Sequence, residues 1–170
     1  MANYIDGTSS ADYLYGTEDD DIIYAYEGND YAFADVGDDT LYGYSGKDTL
    51  SGYDDDDYLY GDSGKDSLDG GYDDDYLSGG SGADQLIGNY GTDTLTGGAG
   101  ADTYIFYSSS EGIDSITDFE WEQGDKIQVS FGTSTSDFTF SNDVLYYGST
   151  ALASLQSGSG FVPSLDINIV

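Results

Sequence analysis

Aspartate recurs at intervals of nine residues without a gap, at Asp12, Asp21, Asp30, Asp39, Asp48, Asp57, Asp66, Asp75, Asp84, Asp93 and Asp102. Carboxylates at fixed spacing among glycines offer hard oxygen ligands from side chains and backbone carbonyls. That is the chemistry of Ca²⁺, which takes roughly 6 to 8 such oxygens, and nothing softer is present. The chain has no histidine and no cysteine, and its three basic residues are Lys47, Lys65 and Lys126. Ser-His and Cys-His nucleophiles, zinc sites and arginine clamps on phosphate are therefore unavailable. Against those lysines stand 34 acids, for a formal charge of -31, which repels nucleic acid and anionic lipid. Glycoside hydrolysis needs a buried, raised-pKa carboxyl in a cleft, whereas these acids are committed to metal or exposed, so no enzyme activity is expected.

The elements that must hold these aspartates follow from the same period. Eleven contiguous nonapeptides fill 7–105, from GTSSADYLY through GYSGKDTLS and GGSGADQLI to GGAGADTYI. Position one is Gly in nine units and Ala (Ala25, Ala34) in two, position four is Gly in seven, and position eight is Leu in eight. Glycine permits the tight turns, and the last three residues of a unit, such as Tyr58-Leu59-Tyr60, alternate as a short strand does. One unit is a turn and a strand, so two units make an 18-residue coil. Leu14, Ile23, Ala32, Leu41, Leu50, Leu59, Leu68, Leu77, Leu86 and Leu95 line its thin interior. An acidic low-complexity linker would not keep Leu in phase with Asp over eleven copies.

The repeat resembles the repeats-in-toxin nonapeptide G-G-x-G-x-D-x-U-x of hemolysin-type calcium-binding proteins, including cyanobacterial members exported by type I secretion. The resemblance implies an all-β fold, a right-handed parallel β-roll. It also implies Ca²⁺ between stacked loops, each ion taking the sixth-position Asp of two loops two units apart and carbonyls from the glycine-rich positions. Six loops on the odd edge and five on the even edge leave room for up to about nine ions. The repeat block carries -22 from its 24 acids and two lysines, and without metal its stacked turns, only ~4.8 Å apart, set like charges together. The metal-free chain is therefore expected to be expanded and largely unfolded.

Three further features bear on function. The even edge carries fifteen acids and no lysine, the odd edge eight acids and two lysines. Runs such as Asp54-Asp55-Asp56-Asp57 either bind further cations or partners, or simply keep the protein soluble. Among the departures from consensus, Asp19, Asp55 and Asp73 replace the fourth-position glycine in turns that Asp tolerates. With Ser10, Ala25 and Ala34 in addition, the N-terminal sites are expected to be the weakest. Outward tyrosines align in columns, Tyr24-Tyr42-Tyr60, Tyr58-Tyr76, Tyr13-Tyr31 and Tyr15-Phe33, either as ladders that stabilise strands or as an aromatic face for protein or sugar.

The ends read as caps. Asn3-Tyr4-Ile5-Asp6 matches positions six to nine of a unit, so 1–6 forms a capping strand with Ile5 over the first coil. Beyond Ile105, alternation in Ile127–Phe131, Phe138–Phe140 and Leu165–Ile169 predicts an antiparallel C-terminal β cap over 106–170. The stretch EGIDSITDFEWEQGDKIQV is similar to the segment that follows the repeats in related proteins. The chain end, Asp166 followed by Ile167, Asn168, Ile169 and Val170, resembles a type I secretion signal or is an ordinary last strand. The first ten residues lack the pattern of a cleaved leader, and with the repeats beginning at residue 7 no passenger domain is expected. The expectation is a secreted, extracellular or cell-surface protein that folds on Ca²⁺ and uses the type I secretion machinery, with no membrane insertion. Two functions stay open. One is a self-assembling matrix, surface-layer or fibre protein associating through roll ends, tyrosine columns or the acidic edge. The other is a monomeric module acting as adhesin, calcium buffer or secretion partner.

Overall fold

The computed structural model describes residues 2–131, 134–156 and 167–170. Its elements are β-strands, with a single 3-10 turn at Thr135–Asp137 among the described residues. No helix there is long and apolar enough to cross a membrane. The strands stack as a parallel β-solenoid with two sheets. Odd units supply Tyr13–Tyr15, Tyr31–Val36, Thr49–Asp54, Ser67–Tyr72, Gln85–Tyr90 and Thr103–Phe106 to one sheet. Even units supply Asp21–Tyr24, Thr40–Tyr42, Tyr58–Tyr60, Tyr76–Gly82 and Thr94–Gly100 to the other. Each strand pairs with the one 18 residues on, as in Leu50 with Leu68 and Leu59 with Leu77.

Strict register has a packing cause. The eighth-position side chains meet between the sheets, and Ile23, Leu41, Leu50, Leu59, Leu68, Leu77 and Leu86 are fully buried. A one-residue slip of any strand would turn this column to water and bring a polar or tyrosine neighbour inside. Burying each such side chain stabilises the fold by roughly 1.5 to 3 kcal/mol, and with one large residue per short strand the roll has no wider core to fall back on. The columns of outward rings form as expected: Tyr24–Tyr42 and Tyr42–Tyr60 stack at 5.3 and 5.0 Å, and Tyr13–Tyr31 at 4.8 Å.

At the N-terminus, Asn3–Asp6 pairs in parallel with Asp21–Tyr24 and sets Ile5 against Ile23. At the other end the parallel ladder does not stop at 105, where the strict nonapeptide stops. Asp114–Ile116 adds to the even-unit sheet beside Thr94–Gly100, and Lys126–Val129 adds to the odd-unit sheet beside Thr103–Phe106. Ile167–Ile169 then pairs in parallel with Lys126–Val129. The antiparallel part of the cap is the meander of Phe138–Ser141, Val144–Tyr147 and Thr150–Leu155. Its last strand returns to parallel pairing with Asp114–Ile116. The apolar column runs on through Tyr104, Ile116, Ile127, Val129, Leu145 and Leu155. Asp166, the acid of the suggested export signal, lies outside the described residues.

Candidate metal centre

The eleven sixth-position aspartates form two columns, one per edge of the roll. In each column the backbone N–H of one Asp donates to Oδ1 of the Asp 18 residues on. Along the odd edge Asp12 bonds Asp30, and so on through Asp48 and Asp66 to Asp84 and Asp102 at 2.8 to 2.9 Å. Along the even edge the chain of bonds runs from Asp21 through Asp39, Asp57 and Asp75 to Asp93 at 2.6 to 2.9 Å. From Asp21 onward these side chains are buried.

The second carboxylate oxygen is left over. Oδ2 of Asp30, Asp39, Asp48, Asp57, Asp66, Asp75, Asp84, Asp93 and Asp102, together with Oδ1 of Asp21, has no hydrogen-bond partner. A buried carboxylate oxygen without a partner costs several kcal/mol, and here the defect recurs in every interior loop. Burial pushes these groups up, with neighbouring aspartates adding to the rise and the backbone N–H bonds offsetting part of it. Asp39, Asp48 and Asp102 rise to about 6, Asp66 to about 7, Asp57 to about 8 and Asp75 to about 9. Asp30, Asp84 and Asp93 move the same way. Each orphaned oxygen needs either a proton or a cation.

The loops favour a cation that accepts carbonyls. Among the described residues no three His, Cys, Asp or Glu side chains converge on one point, so carboxylates alone complete no shell. Backbone oxygens are close at hand. A β-carbon added at Gly46 would lie 1.4 Å from the Gly28 carbonyl oxygen and 3.2 Å from Asp48 Oδ1. Glycine at position four therefore brings the carbonyl of one loop up to the carboxylate of the next. One or two carboxylates with several carbonyls is a Ca²⁺ donor set, and it suits neither Zn²⁺ nor a rigid octahedral Mg²⁺ site. The residues present fit calcium.

The column ends differ from the interior. Asp12 Oδ2 accepts from the Thr8 N–H and hydroxyl at 2.6 and 2.8 Å, and Asp21 Oδ2 from those of Thr17 at 2.6 and 3.1 Å. Asp12 is thus held locally through Oδ2, and Asp21 is held the same way while its Oδ1 stays orphaned. Asp55 and Asp73 sit in the left-handed region at φ 80° and 72°, as their replacement of glycine predicts.

Two members of the columns escape the nine-residue count. Asp93 N–H donates to Asp114 Oδ1 at 3.2 Å, and Asp102 N–H to Asp125 Oδ1 at 3.0 Å. Both acceptors are buried, and burial pushes Asp114 to about 8 and Asp125 to about 6. Aligned on them, 109–117 (SSEGIDSIT) and 120–128 (EWEQGDKIQ) are a twelfth and a thirteenth unit, set off by inserts at 106–108 and 118–119. Asp125 Oδ2 accepts from the Glu120 N–H at 2.8 Å, which closes the odd column. Position two was also missed. In the nine loops beginning at 25 through 97 its residue has positive φ, including Tyr26, Tyr44 and Tyr53 at 71°, 65° and 87°.

The outward fifth-position acids have a structural task as well. Asp74 N–H donates to Asp56 Oδ1 at 2.9 Å, and Thr92 N–H to Asp74 Oδ1 at 2.7 Å. These exposed carboxylates tie adjacent even-edge loops together.

The family described as RTX calcium-binding nonapeptide repeat (4 copies) matches residues 6–41, 33–68 and 69–104. No curated protein matches the chain. Among solved structures, the extracellular lipase LipA from Serratia marcescens is similar at 17% identity with a TM-score of 0.38. The alignment covers 100% of this chain and 40% of that one, so the chain spans less than half the length of the lipase.

Proposed function

Because the chain belongs to the RTX calcium-binding nonapeptide repeat family, we propose that it is an exported protein whose roll folds when Ca²⁺ enters the two aspartate columns, and which then assembles outside the cell. The observation that carries the calcium step is the set of ten buried, partnerless carboxylate oxygens, one in each sixth-position Asp from Asp21 to Asp102. An ion between successive loops gives each of them a partner and removes the like-charge repulsion along the column. The eleven sixth-position aspartates are the ligands in this reading, with Asp114 extending the even column. Binding free energy is then folding free energy. Such a chain stays unfolded where Ca²⁺ is scarce and folds where it is plentiful, which suits export in an extended state.

Assembly is supported by the start of the roll. Asn3–Asp6 and Tyr13–Tyr15 are the outermost strands of their sheets, and Tyr4, Tyr13 and Tyr15 are 67%, 66% and 64% exposed. Unpaired strand edges of this kind accept further strands. A Ca²⁺ titration followed by circular dichroism and light scattering tests both steps. The expected result is a gain of β structure accompanied by a rise in mass. Folding at constant monomer mass favours the monomeric binding module instead, and full β structure in chelator at about pH 9, where protons no longer fill the columns, overturns the calcium step.

A further inference from the structure

The even edge carries a cleft that the aspartate columns do not use. Along position two of its loops the residues run Tyr53, Gly71, Asn89, one coil apart in the parallel ladder. All three are left-handed, at φ 87°, 126° and 68°. A β-carbon at Gly71 would lie 2.1 Å from the Tyr53 carbonyl oxygen, so no side chain fits there. The result is a gap between Tyr53 and Asn89, about 10 Å across backbones at two strand spacings. It opens a cleft of about 270 Å³ lined by Tyr53, Asp69, Gly71, Asn89 and the Tyr72–Tyr90 pair, whose rings stack at 5.2 Å.

The polar groups in this cleft owe nothing to the repeat. Asp69 is the one acid at any ninth position of the eleven nonapeptides. It is half-buried, and its Oδ1 accepts from the Asn89 side-chain amide. That leaves Asp69 Oδ2 and the rest of the Asn89 amide to face a ligand. Tyr53 has one ring contact among the described residues, a tilted one with Phe33 at 6.3 Å, and nothing stacks on it from the side of Gly71.

We propose that this cleft binds a single pyranose unit of a neutral glycan. A carboxylate beside an amide accepts from and donates to a vicinal diol, with the charge-assisted bond to Asp69 the stronger. The face of Tyr53 receives the apolar C–H face of the sugar ring. The volume lies just under the roughly 300 to 1,000 Å³ of pockets for drug-sized ligands, which suits one ring. A net charge of -31 turns away acidic sugars. A quaternary ammonium would find tyrosine faces but would leave the Asn89 amide without a ligand partner. The site needs the folded roll and is separate from assembly.

The test uses the full chain saturated with Ca²⁺ and its amide resonances in NMR. The probes are methyl glycosides of glucose, galactose and mannose at millimolar concentration, and tetramethylammonium. At least one glycoside is expected to shift resonances of Tyr53, Gly71 and Asn89. Asp69→Ser, which installs the residue that Ser51 already supplies one coil earlier, and Tyr53→Asn, which keeps a residue that tolerates the left-handed backbone, should each weaken binding by about tenfold or more, with circular dichroism in Ca²⁺ unchanged. Tyr26→Asn, on the other edge, should leave it intact. The proposal is overturned if no glycoside shifts these resonances, if both cleft variants bind as the parent does, or if tetramethylammonium binds there and the glycosides do not.

Discussion

Asp57 concentrates what the single residue does in this molecule. Its N–H donates to Asp75, its Oδ1 accepts from Asp39, and its Oδ2 is one of the orphaned oxygens. If the columns hold Ca²⁺ as proposed, Asp57→Ala removes a ligand from the gaps on both sides, so titration calorimetry should count fewer ions and the Ca²⁺ midpoint for folding should rise several-fold. Asp12→Ala should move the midpoint little, because Asp12 is already held by Thr8. The sixth positions of the eleven unbroken repeats were legible in the sequence, since one residue type at one spacing leaves no other phase, whereas Asp114 and Asp125 beyond the inserts were not. Position two was not. Its left-handed backbone is occupied by Tyr, Asp, Asn and Gly alike, so only Gly71, Gly80 and Gly98 signalled it. A non-glycine residue in that region costs about 1 kcal/mol or more. Asp35, exposed at φ 87°, is the place to recover it. Because Asp tolerates this region and glycine adds unfolded-chain entropy, Asp35→Gly should stabilise the Ca²⁺-loaded roll by less than about 1 kcal/mol, read as a slightly higher urea midpoint.

At the scale of the element, the sequence located the strand that ends each of the eleven repeats because turn chemistry and apolar phase agree there, but not the two-residue strands Glu27–Gly28, Ser45–Gly46 and Ser63–Gly64 inside what read as turns. It lost the thread at 106–108 and 118–119, where short inserts break the period although Asp114 and Asp125 still complete the columns. The expectation of a separate antiparallel cap thus described only the 138–155 meander, and the two units before it, one further coil, are roll. The last strict repeat, just before them, contributes the one polar side chain of the buried apolar column among the described residues. Tyr104 takes the place of leucine, is fully buried, and donates its hydroxyl to Asp118 Oδ1 at 3.0 Å while accepting from the Gly97 N–H at 3.0 Å. Asp118 in turn accepts from the Gly97 and Gly98 N–H groups. The group joins loop, core and cap at the seam where the strict repeat ends. Tyr104→Phe keeps the ring and removes this junction, and should lower stability in saturating Ca²⁺ by about 1 to 2 kcal/mol. Urea unfolding measures the loss. The ion count should not change, since no sixth-position aspartate is touched.

For the molecule as a whole, the same carboxylates that call for calcium also call for protons. Burial raises Asp39 and Asp48 to about 6, Asp66 to about 7, Asp57 to about 8 and Asp75 to about 9, whereas in the unfolded chain they titrate near 3.9. The metal-free fold therefore binds more protons than the unfolded chain throughout this window, and its stability falls as pH rises. The contribution is fully present below about pH 4 and is lost in steps as pH climbs through 6 to 9. In chelator, lowering the pH from 9 to 5 should draw the chain toward β structure with no metal at all, while pH 5 still lies above the isoelectric point of about 4.1 and keeps the protein in solution. Circular dichroism with light scattering in parallel reads the outcome. Ca²⁺ should then be needed for folding mainly above pH 7, where protons no longer occupy the columns. A chain that stays unfolded at pH 5 in chelator would mean that the orphaned oxygens are not what holds the apo roll open, and that the repulsion resides in the outward acids of the even edge instead.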